Sequence, residues 1–278
     1  MVKALMRQPP GVVLITRIPN SLDPGGYWPH KVRILIPLND PQMGITALHG
    51  GGGWGTQQAN YLNMLYQTDG TDSDSNWAPE NVNWGLLQKY GGVCAIFISA
   101  KSLVGAGQVW SVDSNGNTRQ AYLPGKNPQN LNDYSVPKAF CWSNQYETSG
   151  LNDEQMLIDL RAYLPSVLPA SVAALHLCGH SSGGMMTTAL WFRHPNTFNH
   201  YITWAGPGCY NLFAGHGMHS NPPPKLDIIG EDDTTVGCRS YVDGSSQMYV
   251  ETWPENPQNF NQSVVTWPDL TSFRGLWF

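Results

Sequence analysis

What this chain has little of is charge. Asp, Glu, Lys and Arg together make up 13% of its 278 residues, against roughly 25% in ordinary soluble domains. It has no basic excess either: fifteen Lys and Arg face twenty Asp and Glu, for a formal net charge of -5 and a pI near 5.8. Such a balance gives a phosphate backbone little to hold, which argues against nucleic-acid binding. No apolar run approaches the roughly 18 residues needed to cross a bilayer, so no membrane span is expected. The five cysteines, Cys94, Cys141, Cys178, Cys209 and Cys238, lack C-x-x-C spacing. No H-E-x-x-H or comparable pattern occurs, so neither a metal site nor a cofactor is expected. The amino terminus has a basic residue but no apolar segment or cleavage site of a signal peptide. That leaves an intracellular protein or an exported one already processed.

What is present is apolar and aromatic. Hydrophobic residues are 41% of the chain, with eleven Trp, twelve Tyr and eight Phe, enough burial to exclude disorder. The polar surface must then come from Asn, Gln, Ser, Thr and Gly, a composition common in secreted proteins, and export is the expectation. Cys94 and Cys178 fall in apolar runs and read as small core residues. Cys209 and Cys238 each follow a predicted strand, and an exported protein could join them in a disulfide. No linker or repeat divides the chain, so one domain over 1–278 is expected.

Runs rich in Val, Ile and Leu at 11–18 and 31–38, separated by a Pro/Gly turn, predict an antiparallel pair of strands. Further strands are predicted at 44–49, 92–99, 173–178, 201–205, 225–229 and 262–267. The continuous apolar run at 92–99 suits a parallel sheet covered on both faces. Polar, turn-rich stretches at 69–80 and 113–145 read as long surface loops. Helices are predicted over 151–164, capped by Asn152 with Asp153 and Glu154 in its first turn, and over 182–192. Strands alternating with helices imply an α/β fold: a doubly wound, mostly parallel sheet with helices on both faces.

Three motifs carry chemistry. After the strand 173–178 comes Gly179-His180-Ser181-Ser182-Gly183-Gly184, a G-x-S-x-G match at a strand-to-helix turn. That context makes Ser181 a candidate nucleophile and the Ser182 N–H a candidate oxyanion donor. After the strand 44–49 comes His49-Gly50-Gly51-Gly52-Gly53, whose Gly50 and Gly51 amides would complete an oxyanion hole, with His49 orienting the loop. After the strand 225–229 comes Gly230-Glu231-Asp232-Asp233, and Asp233 is the candidate triad acid at the carboxyl edge.

These blocks, in this order, resemble the polyhydroxybutyrate depolymerase and feruloyl esterase group of α/β-hydrolases over residues 31–242. The resemblance implies an α/β-hydrolase fold and a serine carboxylic ester hydrolase forming an acyl-enzyme on Ser181. It also implies polyesters or plant cell-wall phenolic esters as substrates. The family's general base is a histidine after the last strand, in a Gly-Gly-His-x-Trp-Pro-like context. This chain has no histidine beyond His219; its two Trp-Pro pairs, at 253–254 and 267–268, lack one. Three explanations stay open: a truncated or divergent carboxyl end, a base supplied by His216 or His219, or a catalytically dead fold. The last would bind a polymer or carbohydrate surface through exposed aromatics, with Trp54, Trp77, Trp84, Trp110 and Trp142 as candidates.

Overall fold

Six consecutive residues, Val93–Ile98, are buried without exception, and their side chains divide by parity. Cys94, Ile96 and Ile98 enter one hydrophobic cluster, while Ala95 and Phe97 enter another on the opposite face. A strand whose two faces are both apolar must lie inside a sheet covered twice. The structure, a computed structural model, describes residues 11–51, 53–89, 92–99, 111–120, 142, 153–204, 223 and 225–228.

Among these residues nine strands form one sheet. They are β1 (Val12–Pro19), β2 (Tyr27–Ile36), β3 (Met43–Leu48), β4 (Val93–Ile98), β5 (Ser111–Val112), β6 (Thr118–Gln120), β7 (Ala174–His180), β8 (His200–Trp204) and β9 (Lys225–Ile228). Their order is β6-β5-β2-β4-β3-β7-β8-β9, with β1 also paired to β2. β1 with β2 and β2 with β4 are antiparallel; β4, β3, β7, β8 and β9 are mutually parallel. Helices α1 (Gly55–Tyr61) and α2 (Trp84–Lys89) accompany one cluster, and α3 (Asp153–Tyr163) and α4 (Ser182–Arg193) the other. This strand order, with a helix on the strand that ends in a serine turn, is the α/β-hydrolase fold.

Amphipathic spacing seats α3: Met156, Leu157 and Leu160 are fully buried against strand residues of the first cluster. Trp28 Nε1 donates to Asp159 Oδ2 at 2.7 Å, tying α3 to β2. The free thiols Cys94 and Cys178 are core residues, as expected, and burial pushes Cys94 up to about 12. The predicted disulfide partners Cys209 and Cys238, and the strand 262–267, lie outside the described residues.

Several expectations need correction. The second strand begins at Tyr27, not 31, because pairing with β1 runs back to Pro19↔Tyr27. Residues 111–120 form a hairpin, of which 113–120 were expected within a long loop. Gly116 takes φ +90°, and Asp113 Oδ1 accepts from the Asn115 and Asn117 amides at 2.9 and 2.8 Å. The Asn-Gly pair carries that turn signal. Two short helices, α1 and α2, went unpredicted, being too brief for a helical period to emerge.

Register decides what meets at the carboxyl edge. Leu48 pairs with Ile98 on one side and Gly179 on the other, and His180 pairs with Trp204. The carboxyl ends of β3, β4, β7 and β8 therefore lie side by side. α4 starts so close to β3 that a Cβ on Gly183 would stand 2.6 Å from the carbonyl oxygens of Leu48 and His49. A Cβ on Gly179 would stand 2.2 Å from Gly183 O. In Gly183→Ala, the overpacking cost of about 1–3 kcal/mol should outweigh the roughly 1 kcal/mol helix-propensity gain. Gly85 in α2 has only Asn83 Oδ1, at 3.7 Å, within reach of a Cβ, and Gly85→Ala should be neutral or stabilising. Chemical denaturation should show a lowered midpoint for the first variant only; equal midpoints would refute the packing argument.

Candidate active site at the carboxyl edge

Ser181 stands between β7 and α4 with φ 50° and ψ -118°. A non-glycine residue held there stores backbone strain that its surroundings must over-determine. They do so from both sides. The Ser181 amide donates to Trp204 O at 3.0 Å, and its carbonyl accepts from the Met185 amide at 3.0 Å, opening α4. The hydroxyl does not cap the helix, so the turn is held by main chain and the side chain is left over. Ser182 follows, buried, at the first helical position, where backbone N–H groups have no intrahelical acceptor. The spacing G-x-S-x-G is thus explained locally: glycines at 179 and 183 are required by contact, and Ser181 sits on the strained turn between them.

The glycine loop comes against that turn. A Cβ on Gly50 would lie 3.3 Å from Ser181 Cβ and 2.9 Å from His180 Nδ1. A side chain at position 50 would therefore press on the serine and collide with the His180 ring. The Gly50 carbonyl accepts from the Gly53 amide at 3.1 Å and from His49 Nδ1 at 2.6 Å. A carbonyl cannot donate, so His49 carries its proton on Nδ1. His49 is buried, and burial pushes its pKa down to about 4, against the smaller raising effect of the Gly50 hydrogen bond. The expected role of His49 as orienter of the loop agrees with this geometry. Wholly buried Trp142 donates from Nε1 to His49 O at 2.9 Å and packs with the imidazole at a centroid distance of 5.0 Å.

A second layer fixes where α1 begins. Arg33 of β2 is 1% exposed. Its Nη1 donates to Asp72 Oδ2 and Ser99 Oγ, both at 3.2 Å. Its Nη2 donates to Asp72 O and Asp74 Oδ1, both at 3.0 Å. Ser99 Oγ accepts from the Gly55 amide at 2.9 Å, and Asp72 Oδ1 accepts from Thr56 Oγ1 at 3.1 Å. Trp77 completes the layer, with Nε1 donating to Thr56 Oγ1 and its ring 5.7 Å from the guanidinium carbon. The sequence reading missed this layer. Its one visible trace was a lone arginine inside the apolar run 31–38.

Six of the eight histidines are described, and each has contacts of its own. His30 Nε2 faces Asp153 Oδ1 at 3.1 Å; His49 is bound to Gly50. His176 pairs with His200, and His194 Nε2 lies 3.6 Å from Glu154 Oε2. His180, the sixth, stacks on Trp204. Of the predicted site residues, the structure brings Ser181, Ser182 and Gly50 together; Gly51 follows Gly50 as an exposed residue. Asp233, His216 and His219 lie outside the described residues. The proposed aromatic platform needs correction: Trp77, Trp84 and Trp142 are 1%, 7% and 0% exposed and serve as core, because their rings fill the sheet–helix and loop interfaces. Trp54 is half-buried, and Trp110 lies outside the described residues.

No protein-family model matches the chain, and no curated protein matches its sequence. Among solved structures it is similar to a dienelactone hydrolase from Anabaena variabilis, at 14% identity and TM-score 0.49, covering 98% of both chains. It is also similar to a siderophore hydrolase from Aspergillus nidulans, at 14% identity and TM-score 0.47, covering 98% of this chain and 95% of that one. An acetyl xylan esterase from Aspergillus awamori gives 14% identity and TM-score 0.47, covering 88% of this chain and 81% of that one.

Two outcomes follow from the site's geometry. His49 is depressed in the folded state from 6.5 to about 4, so the unfolded chain binds the extra proton between those values. Its contribution is complete above pH 6.5 and lost as pH falls toward 4, about 3 kcal/mol in all. His49→Asn should flatten that part of the stability–pH curve, and parallel curves for variant and wild type would contradict the assignment. Arg33→Met removes hydrogen bonds to two carboxylates and should lower stability by about 1.5–3 kcal/mol, read from the denaturant midpoint.

Proposed function

We propose that the protein is a serine carboxylic ester hydrolase whose nucleophile is Ser181. One observation carries the reading: Ser181 is held at φ 50° on a strand-to-helix turn, with the Gly50 main chain packed against it. Strain of this kind is retained where a side chain must be presented to a substrate. In the reaction, Ser181 Oγ attacks the ester carbonyl and its proton passes to an imidazole. The Ser182 amide and a Gly50 or Gly51 amide hold the oxyanion, where losing one donor typically costs about 10²–10³ in rate. The imidazole returns the proton to the departing alkoxide, leaving an acyl-enzyme that water cleaves by the same steps in reverse.

Asp233 is the proposed acid, five residues beyond the last residue of β9. For the base, His216 and His219 are the candidates that remain, since the described histidines are bonded or stacked elsewhere. The substrate class we assign is the uncharged ester, polymeric or phenolic. Support comes from the motif order shared with the depolymerase and feruloyl esterase group, and from a chain with only 13% charged residues. Exposed Tyr61 and Tyr66, on and just past α1, add aromatic surface. The same composition supports a single exported catalytic domain over 1–278. The rival reading, a dead fold binding a polymer through tryptophans, loses three of its five candidates to the core.

The test is hydrolysis of a short p-nitrophenyl ester by wild type, Ser181→Ala, His216→Ala and His219→Ala. Ser181→Ala should fall to background, and one histidine variant should lose activity with it, by as much as about 10⁶ in turnover. A serine-directed organophosphonate should label the wild type at Ser181. Equal rates for wild type and Ser181→Ala, with no label at Ser181, would refute the assignment.

A further inference from the structure

At the opposite end of the sheet from Ser181, two histidines meet. His176 of β7 and His200 of β8 are register partners on adjacent parallel strands, so their side chains leave the same face at the same level. Their Nδ1 atoms are 3.0 Å apart and their rings lie at a centroid distance of 4.9 Å, tilted by 32°. In the hydrogen bond one Nδ1 donates and the other offers its lone pair. Moving the donor's proton to Nε2 turns both lone pairs inward without moving either backbone.

We propose that His176 and His200 form a bidentate site for a divalent transition-metal ion of tetragonal preference, of the Cu(II) or Ni(II) class. Two metal–nitrogen bonds of about 2.0–2.1 Å spanning 3.0 Å subtend an angle of about 91–97°. That is the cis angle of square-planar or tetragonal coordination and is narrower than a tetrahedral ion prefers. Among the described residues no group of three or more ligating side chains gathers, so the two imidazoles are the ligands those residues supply. The approach is open, since His200 is exposed and His176 half-buried.

The surroundings suit a cation. Lys225, paired through its backbone with neighbouring Tyr201, directs its ammonium over the Trp191 ring of α4 on the other face. Asn199 Oδ1 is taken by the Leu175 amide and does not compete for the imidazoles. Burial, with a lesser effect from the His200 imidazole, holds His176 below its ordinary pKa, so the ligand nitrogen is available unprotonated near neutral pH. The site is independent of the proposed hydrolysis.

The test is titration of the full chain with Cu(II) in a non-coordinating buffer at neutral pH, by calorimetry and by electron paramagnetic resonance. Wild type should bind one equivalent with an axial spectrum showing two nitrogen ligands. Loss of an outer-shell partner alone typically weakens a metal about 10–100-fold, so His200→Asn and His176→Asn should each weaken binding by at least that much. His194→Asn, which alters a partly exposed histidine elsewhere, should leave it unchanged. Circular dichroism confirms that each variant is folded, and His200, being exposed, can be replaced without opening the core. Superposable titrations of wild type and folded His200→Asn would overturn the site, as would equal weakening by His194→Asn.

Discussion

The contact on which the rest of this structure depends is backbone against backbone. The first turn of α4 presses on the end of β3, with Gly179 and Gly183 removing the two side chains that would hold them apart. That approach forces the chain to reverse sharply between β7 and α4, and the reversal puts Ser181 at positive φ. It also brings the glycine loop after β3 to within van der Waals range of the same residue. The strained Ser181 turn and the glycine main chain beside it, where the proposed nucleophile and oxyanion amides lie, are thus consequences of a single packing event. The geometry of this candidate site is obtained from main-chain sterics, which a flexible side chain could not hold as firmly.

Around that contact the protein deploys its few charges economically. Arg33 is almost entirely enclosed, yet its hydrogen bonds reach two carboxylates, a carbonyl and a hydroxyl. A buried guanidinium is costly unless its donors are met; here Nη1 and Nη2 each make two hydrogen bonds while Nε makes none, and those four bonds determine where the loop 69–77 and the start of α1 must lie. His49 does the complementary task without charge. Burial keeps it neutral, and its single Nδ1 proton aligns the Gly50 carbonyl. Charge is scarce on this chain, and a good part of it works as scaffold beneath the site.

Much of the fold and site was legible in advance. The parity of Cys94, Ala95, Ile96, Phe97 and Ile98 announced a strand covered on both sides, and Met156, Leu157 and Leu160 announced the face of α3. G-x-S-x-G and H-G-G-G were readable because each glycine answers a local steric demand. The Arg33 layer was not, because its partners Asp72, Asp74 and Ser99 are 39 or more residues away and no local rule links them. Tryptophan misled for a related reason. Trp77 and Trp142 occur in polar, turn-rich sequence that suggests exposure, yet each finds a buried acceptor, Thr56 Oγ1 and His49 O, for its indole N–H. Only the folded chain brings those acceptors within reach.

Composition, periodicity and the spacing of the glycine motifs were therefore enough for the class of fold, the sheet's central strands and the serine on its sharp turn. These rest on side-chain burial and on glycine's freedom near the backbone, both properties of a residue and its immediate neighbours. Tertiary structure decided the distances. It set Gly50 against Ser181 and paired His30 with Asp153 and His176 with His200. It also divided the aromatics between core and surface. The reason is register: aligned strands carry the ends of β3, β4, β7 and β8 to one edge, and register belongs to the sheet rather than to any single strand.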